Sequence, residues 1–506
     1  MMLLRRLTTI FVLLLSSFAP LPGAAAAACD PTPTGSDWPA YGADSANSRH
    51  QQVGAPSTQA AASLEIAWSA RASALGAQGD FTGTPAVAGD CVFIGSNRGW
   101  VLALDRGTGT LAWSHLVSLG GSINSSLAVS GNTVVAHVSL EGSPYLVALD
   151  ARSGDELWTA VTDEQPGSDA FASPIVYDQM VVVGVSGDAA QHSGDEEERG
   201  FAGSLVLFDL SSGELIRRVQ TITAAETEQG FGGATISAPP AIDEAGFAYA
   251  GTSSAYIPQR QHPNNDALLK IDLRREVDGD INPAFGQIVA RYNGDTFDAV
   301  VPGYSETPCM DLPVPAPPAI VPTGRGVGAC GDVDVDFAAA PNLLSNGTVA
   351  AIQKSGRVHA AEADDMTGAW VTRVSTAQPF GGVSATTDGV RLVTGSTPPG
   401  ELVSLDLEGQ IEWRYPIGDG AHYGLPVASG GDVAYTLDIR GFLHAVDMET
   451  GLPLGIRPLI DPSSPGVPVT FGGVSVAGGT VFASVGFQNT GVDFLDLGDG
   501  MLIAYR

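Results

Sequence analysis

The chain has 506 residues, of which 55 are Asp or Glu and 24 are Lys or Arg, giving a formal net charge of −31. That balance argues against nucleic acid as a partner, because holding a phosphate backbone needs clustered positive charge. The 63 glycines and 33 prolines are high in number but scattered, as a chain of short strands and tight turns requires.

Residues 1–28 carry Arg5 and Arg6, an apolar run Leu7–Phe18 broken by a few Ser and Thr, then Pro20, Pro22 and a tract of small residues. This pattern predicts a secretory signal peptide, since the apolar run is too short to cross a bilayer. The mature chain would then be 29–506, exported to the periplasm or beyond, with no transmembrane segment. Ala26-Ala27-Ala28-Cys29 is also a weak form of a lipoprotein cleavage box, so a lipid anchor at Cys29 is the lesser expectation. Four cysteines, Cys29, Cys91, Cys309 and Cys330, allow three pairings. The expected one joins Cys29 to Cys91 and closes a proline-rich loop with Cys309–Cys330.

Ala86 to Trp113, AVAGDCVFIGSNRGWVLALDRGTGTLAW, contains four short strands. Val87 and Ala88 lead into a Gly89-Asp90 turn, Cys91 to Gly95 is β-branched and aromatic, and Asn97-Arg98-Gly99 turns the chain again. Trp100 to Leu104 follows, Arg106 to Gly109 makes the third turn, and Leu111 opens the fourth strand. Such a unit forms one antiparallel sheet with no room for a helix.

Units of this kind start near Ala86, Ala128, Ile175, Ala241, Asn342, Ala385, Val427 and Ser475, at spacings of 42, 47, 66, 101, 43, 42 and 48 residues. A period of about 40–50 residues with four strands per unit predicts a propeller blade. The fold class is therefore all-β, an eight-bladed β-propeller of four-stranded antiparallel blades. ALDRGTGTLAW (103–113) returns as ALDARSGDELW (148–158) and, more loosely, as SLDLEGQIEW (404–413). Trp113, Trp158 and Trp413 fall at equivalent positions, which predicts packing between blades.

Two insertions interrupt the period, and inserted loops on a propeller face are where sites form. The first, 187–203, contains Asp195-Glu196-Glu197-Glu198; the second, 257–341, contains Cys309, Cys330 and GDVDVDF. Asp332, Asp334 and Asp336 alternate, so on an extended strand they would share one face. That face could bind calcium, which prefers oxygen ligands, or crowd the acids until one serves as a base. A solvated strand edge is the simpler alternative. The eight histidines never stand at a zinc-ligand spacing.

The A-x-D-x-x-[TS]-G-x-x-x-W unit resembles the tryptophan-docking repeat of the pyrroloquinoline quinone (PQQ) type propellers, and polyvinyl alcohol dehydrogenase-like quinoproteins in particular. Asp37–Val53 followed by LEIAW (64–68) resembles the opening segment of quinoprotein alcohol dehydrogenases, implying that 29–72 helps close the ring. GDVDVDFAAAPNLL (331–344) and AIQKSGRVHA (351–360) resemble that family's acidic segment and following blade. On this resemblance Asp336 is the base that takes the substrate hydroxyl proton and a metal ligand. Lys354, one of only two lysines, is the residue that hydrogen-bonds the quinone oxygens.

The chain also departs from that pattern. Ser237 stands where the family has a Trp beneath the cofactor ring. Gly251-Thr252-Ser253-Ser254 replaces a glycine-asparagine segment that supplies a calcium ligand, leaving Ser254 as its counterpart. Glu198-Arg199 replaces a vicinal cysteine pair, Ala202 an arginine, and the glutamate ligand has only Asp188 or Glu196 to correspond to it. No C-x-x-C-H for haem attachment occurs. The resemblance thus implies an exported dehydrogenase that oxidises a small or polymeric alcohol with PQQ and calcium and an external electron acceptor. The alternative it leaves is a non-catalytic propeller, without cofactor, that binds a protein partner.

Overall fold

The computed structural model describes residues 29–187, 200–256, 260–295, 335–375, 385–396, 400–418, 427–438, 440–459, 470–486 and 498–506. Eight four-stranded antiparallel sheets follow one another, the strands of the first seven paired in chain order, and His50–Gln51 adds a short parallel strand to the seventh. The innermost strands begin at Ala86, Ala128, Ile175, Ala241, Asn342, Ala385, Val427 and Thr470. Seven of these are the starts expected from the sequence. The eighth begins earlier than Ser475 because its innermost strand, Thr470–Ala477, spans 8 residues.

Blade 2 shows why such sheets stack side by side. Val134, Ala136, Val138, Val147 and Leu149 pack against blade 1, while Val135, Leu146 and Ala148 pack against blade 3. Successive side chains of a strand leave on opposite faces, so a run that is apolar throughout buries both. The core is accordingly a series of inter-blade clusters rather than one centre.

Five of the eight outer strands are joined to the next blade by tryptophan. Trp113 Nε1 donates to Ala151 O in the next blade at 3.0 Å, and Trp158 to Leu210 O at 3.0 Å. Trp413 donates to Met448 O at 2.9 Å. Trp68 and Trp370 dock in the same way, on Arg106 O and Leu407 O. The ring closes where Ile66–Arg71, from the N-terminal side, pairs with the C-terminal strand Met501–Tyr505 and completes blade 8.

The stretch 257–341, expected to be one long inserted loop, carries the two outer strands of blade 4, Ala267–Asp272 and Ile288–Asn293, with a small hairpin between them. Among the described residues three short helical turns, Thr58–Ala61, Ser73–Leu75 and Ala224–Thr227, sit outside the blades. Among the described residues no helix is long and apolar enough to cross a membrane. Cys29 and Cys91 form the expected disulfide. Cys309 and Cys330 lie outside the described residues.

Candidate functional site

Strand alternation sorts the connections between two ends of the ring. Turns from the second to the third strand of a blade, and linkers from one blade to the next, open at one end. Turns from first to second and from third to fourth strand open at the other. The 187–203 insertion joins the second and third strands of blade 3 (Met180–Val185, Ser204–Asp209). The stretch from Thr252 to Asp266 joins those of blade 4, and 294–341 links blade 4 to blade 5. All three excursions therefore leave from the same end of the channel.

The opposite end is closed by the chain itself. Residues Ser36 to Gln51 run once around the inside of the ring and hydrogen-bond seven of the eight blades in turn. Ser36 O accepts from Gly478 N beside blade 8, Trp38 pairs with Val87 of blade 1, and Pro39 O accepts from Val129 N of blade 2. Ser45, Ala46, Ser48 and Arg49 then accept from Ile242, Leu343, Thr387 and Ser429 of blades 4 to 7. Arg49 is the axle: 1 % exposed, it donates to the carbonyls of Val427, Tyr41 and Val474 and to Thr84 Oγ1, with its guanidinium 4.4 Å from the Tyr41 ring.

At the excursion-bearing end the structure brings three of the sequence-derived candidates together. Asp336 lies in irregular chain between blades 4 and 5, not on a strand, and its neighbours Val335 and Phe337 are as buried as it is. The strand expected there is not formed at Asp336; Asp332 and Asp334, on which the alternating-face reading also depends, lie outside the described residues. Asp336 Oδ1 accepts from the Ser254 backbone N–H at 2.6 Å, and Oδ2 is 2.9 Å from Lys354 Nζ. The Lys354 N–H also donates to Asp336 O at 3.0 Å. Asp336 has 6 % of its side chain exposed and Lys354 16 %, so this ion pair is largely withdrawn from water. The Ser254 hydroxyl is buried without a hydrogen-bond partner among the described residues.

Ser237, half-buried, sits in the linker from blade 3 to blade 4 at the same end. Asp188 and Glu196 lie outside the described residues, as do Glu198 and Arg199. Sequence reasoning missed the layer behind Lys354. Asp295 takes Arg357 Nη1 on Oδ1 at 2.8 Å, and Tyr292 OH hydrogen-bonds His359 Nδ1 at 3.0 Å. His359 Nε2 is 3.9 Å from Asp295, too far for a hydrogen bond, and burial lowers the imidazole pKa to about 4. The segment QKSGRVHA carried these residues, but nothing in its spacing pointed to Asp295.

The family model described as outer membrane protein assembly factor BamB, a PQQ-repeat model, matches residues 58–279. A polyvinylalcohol dehydrogenase of Pseudomonas sp. is 28% identical over 258 residues, 47% of this chain and 39% of that protein. The quinohemoprotein alcohol dehydrogenase of Comamonas testosteroni is 28% identical over 190 residues, 35% of this chain and 25% of that one. The crystal structure of the latter superposes with a TM-score of 0.67 at 16% identity, covering 93% of this chain and 80% of that one. The chain is an eight-bladed β-propeller, and its residues 58–279 are similar to the PQQ-repeat model. BamB from Moraxella catarrhalis shares the fold at a TM-score of 0.53 and 15% identity, covering 88% of this propeller and 99% of that chain. The matched region spans less than half the length of either alcohol dehydrogenase.

The donors at the site fit a quinone better than a metal. A buried ammonium beside a carboxylate suits a carbonyl oxygen that gains negative charge. Calcium takes about 6–8 oxygen ligands. Here one carboxylate oxygen faces an ammonium and another accepts an N–H, leaving one hydroxyl, and no three His, Cys, Asp or Glu converge among the described residues. The described residues alone do not complete a calcium shell, the other expected ligands Asp188 and Glu196 lying outside them, and no step is routed through one.

Proposed function

We propose that this propeller is an exported quinoprotein-type dehydrogenase that oxidises an alcohol, polymeric alcohols included, and passes the electrons to an external acceptor. The reading rests on one observation, the buried Asp336–Lys354 pair at the end of the channel where the excursions gather. A quinone bound there supplies the two-electron oxidant. Asp336 takes the substrate hydroxyl proton on its carboxylate, which the Ser254 N–H and Lys354 Nζ hold in one orientation. An ammonium placed there would polarise a quinone carbonyl oxygen as that oxygen gains negative charge. Ser36–Gln51 lines the far end of the ring, so the substrate is taken to meet the pair from the end at which Asp336 and Lys354 lie.

Titrating the purified protein with PQQ, with and without calcium, tests this through melting temperature and quinone absorbance, since a ligand that binds only the native state must raise the melting temperature. Asp336→Asn is expected to keep the fold and lower kcat by about 10²–10⁴. Saturating cofactor that neither shifts the melting temperature nor supports turnover sinks the enzyme reading. A binding propeller is then the reading that remains, and Ser237 favours it by placing a small hydroxyl side chain where the resemblance calls for an indole.

A further inference from the structure

Lys354 stands on a short turn, Lys354-Ser355-Gly356, between the second and third strands of blade 5. A lysine side chain has four rotatable bonds and loses about 2 kcal/mol of rotamer freedom when fixed, so its placement against Asp336 depends on how firmly the turn is held. The preceding residue, Gln353, has no exposed surface. Its carboxamide is satisfied in both directions by the main chain of one residue. Asp295 N–H donates to Gln353 Oε1 at 3.0 Å, and Gln353 Nε2 donates to Asp295 O at 2.8 Å. Ser355 Oγ donates to the same Oε1 at 3.1 Å, tying the amide to the turn itself.

The amide thus copies the pairing of a neighbouring strand. A Cβ added to Gly294 would come within 2.7 Å of the Phe337 ring and 2.9 Å of Gln353 Nε2, so the approach requires glycine there. Arg357, which faces Gln353 across the hairpin, holds the Asp295 carboxylate. Meanwhile the Lys354 N–H holds Asp336 O, and Phe337 N–H donates to Thr252 O. The chain leaving blade 4 at Asp295 and the chain arriving at Asp336 are therefore fastened to the same turn, one through Gln353 and one through Lys354.

We propose that Gln353 is a positioning residue for this site: by gripping the Asp295 main chain it fixes the turn that holds Lys354 Nζ against Asp336. The inference rests on the dehydrogenase reading for its consequence in turnover, but not for its consequence in lysine chemistry. The two lysines make that separable, because Lys270 serves as an internal standard. Its Nζ donates to Ala363 O and Asp364 O at 2.7 Å and lies 4.1 Å from the Phe247 ring centroid, in a different interface.

The test is acylation of the native protein with acetic anhydride across pH, each lysine followed by peptide mass spectrometry, on wild type, Gln353→Met and Asp295→Asn. In Gln353→Met the Lys354 profile is expected to move to lower pH by about one unit, which is tenfold in rate at fixed pH, with Lys270 unchanged. Asp295→Asn keeps the main chain that Gln353 grips and is expected to leave the Lys354 profile in place. A wild-type Lys354 profile in Gln353→Met overturns the proposal, and so does an equal shift in Asp295→Asn, which would credit the ion pair instead. Should Gln353→Met not fold, Gln353→Asn, which keeps a carboxamide but shortens it, is read by the same criteria. In protein loaded with PQQ, Gln353→Met is expected to lower kcat tenfold with KM for the alcohol unchanged. A shifted Lys354 profile in a protein that never turns over leaves the positioning role standing and removes the dehydrogenase.

Discussion

Trp113 and Gly154 show what keeps the repeat's spelling. Gly154 has φ 74°, a region a side chain rarely adopts, and a Cβ there would lie 2.6 Å from the Trp113 ring. The same collision is set up at Gly109 with Trp68, Gly213 with Trp158, Gly409 with Trp370 and Gly451 with Trp413. Backbone strain and overpacking coincide, so Gly154→Ala is expected to cost about 2–4 kcal/mol in chemical denaturation. The same change at Gly131, also at positive φ but with open space around it, is expected to cost only about 1 kcal/mol. Where the repeat loosens, other side chains take the seat: Arg217 lies over Gly286 as a tryptophan does elsewhere. Three of the five docking tryptophans were legible because they end a repeated phrase. The partnership of Asp336 with Lys354 was not legible from spacing; it needed the resemblance, since the two residues meet only through the linker between two blades. Ser254 was expected as a metal ligand, whereas its backbone N–H is what reaches Asp336.

Among the elements, the Ser36–Gln51 segment is the one the sequence described least. It has neither the alternation of a strand nor a copy elsewhere, and its resemblance to a closing segment said nothing of a circuit inside the ring. The tightness of that circuit is written in three non-glycine residues at positive φ, Ala43, Asn47 and Arg49. Such conformations cost of order 1–3 kcal/mol each and persist only where the surroundings over-determine them. The surroundings here are the innermost strands of seven blades, whose N–H groups facing the channel this segment satisfies. Arg49→Met fills similar volume but removes the donors that reach the carbonyls of Tyr41, Val427 and Val474. Its expected cost is about 3–5 kcal/mol, seen as a lowered melting temperature. The Cys29–Cys91 disulfide fastens the start of this segment to blade 1 across a separation of 62 residues. Chain entropy alone gives such a link about 4 kcal/mol, so Cys91→Ser combined with Arg49→Met is expected to lose more than either alone.

At the scale of the molecule, eight sheets stack by both faces and little of the interior is reachable by water, which makes buried histidine a determinant of acid stability. His137 has no exposed surface; Nδ1 is 3.0 Å from Ala172 O and Nε2 is 3.0 Å from Thr162 Oγ1. Ala172 O can only accept, so a neutral ring carries its proton on Nδ1; the Thr162 hydroxyl beside Nε2 also donates to Pro144 O at 2.9 Å. Burial lowers the His137 pKa to about 4 from an ordinary 6.5, and His359 is lowered to about 4 as well. Between pH 6.5 and 4 the unfolded chain takes up these protons and the folded chain does not. Stability is therefore complete above pH 6.5 and falls as the pH drops to about 4, where the folded protein begins to protonate too. For His137 alone the loss is on the order of 3 kcal/mol. The surplus of carboxylates, net charge −31, acts in the opposite sense as they neutralise, but mainly below pH 5, under most of this window. Melting temperature is thus expected to decline from pH 7 to pH 5 in the wild type and to decline less in His137→Gln, whose carboxamide meets the same two partners without titrating. Parallel curves for the two proteins would mean that His137 is protonated in the folded state.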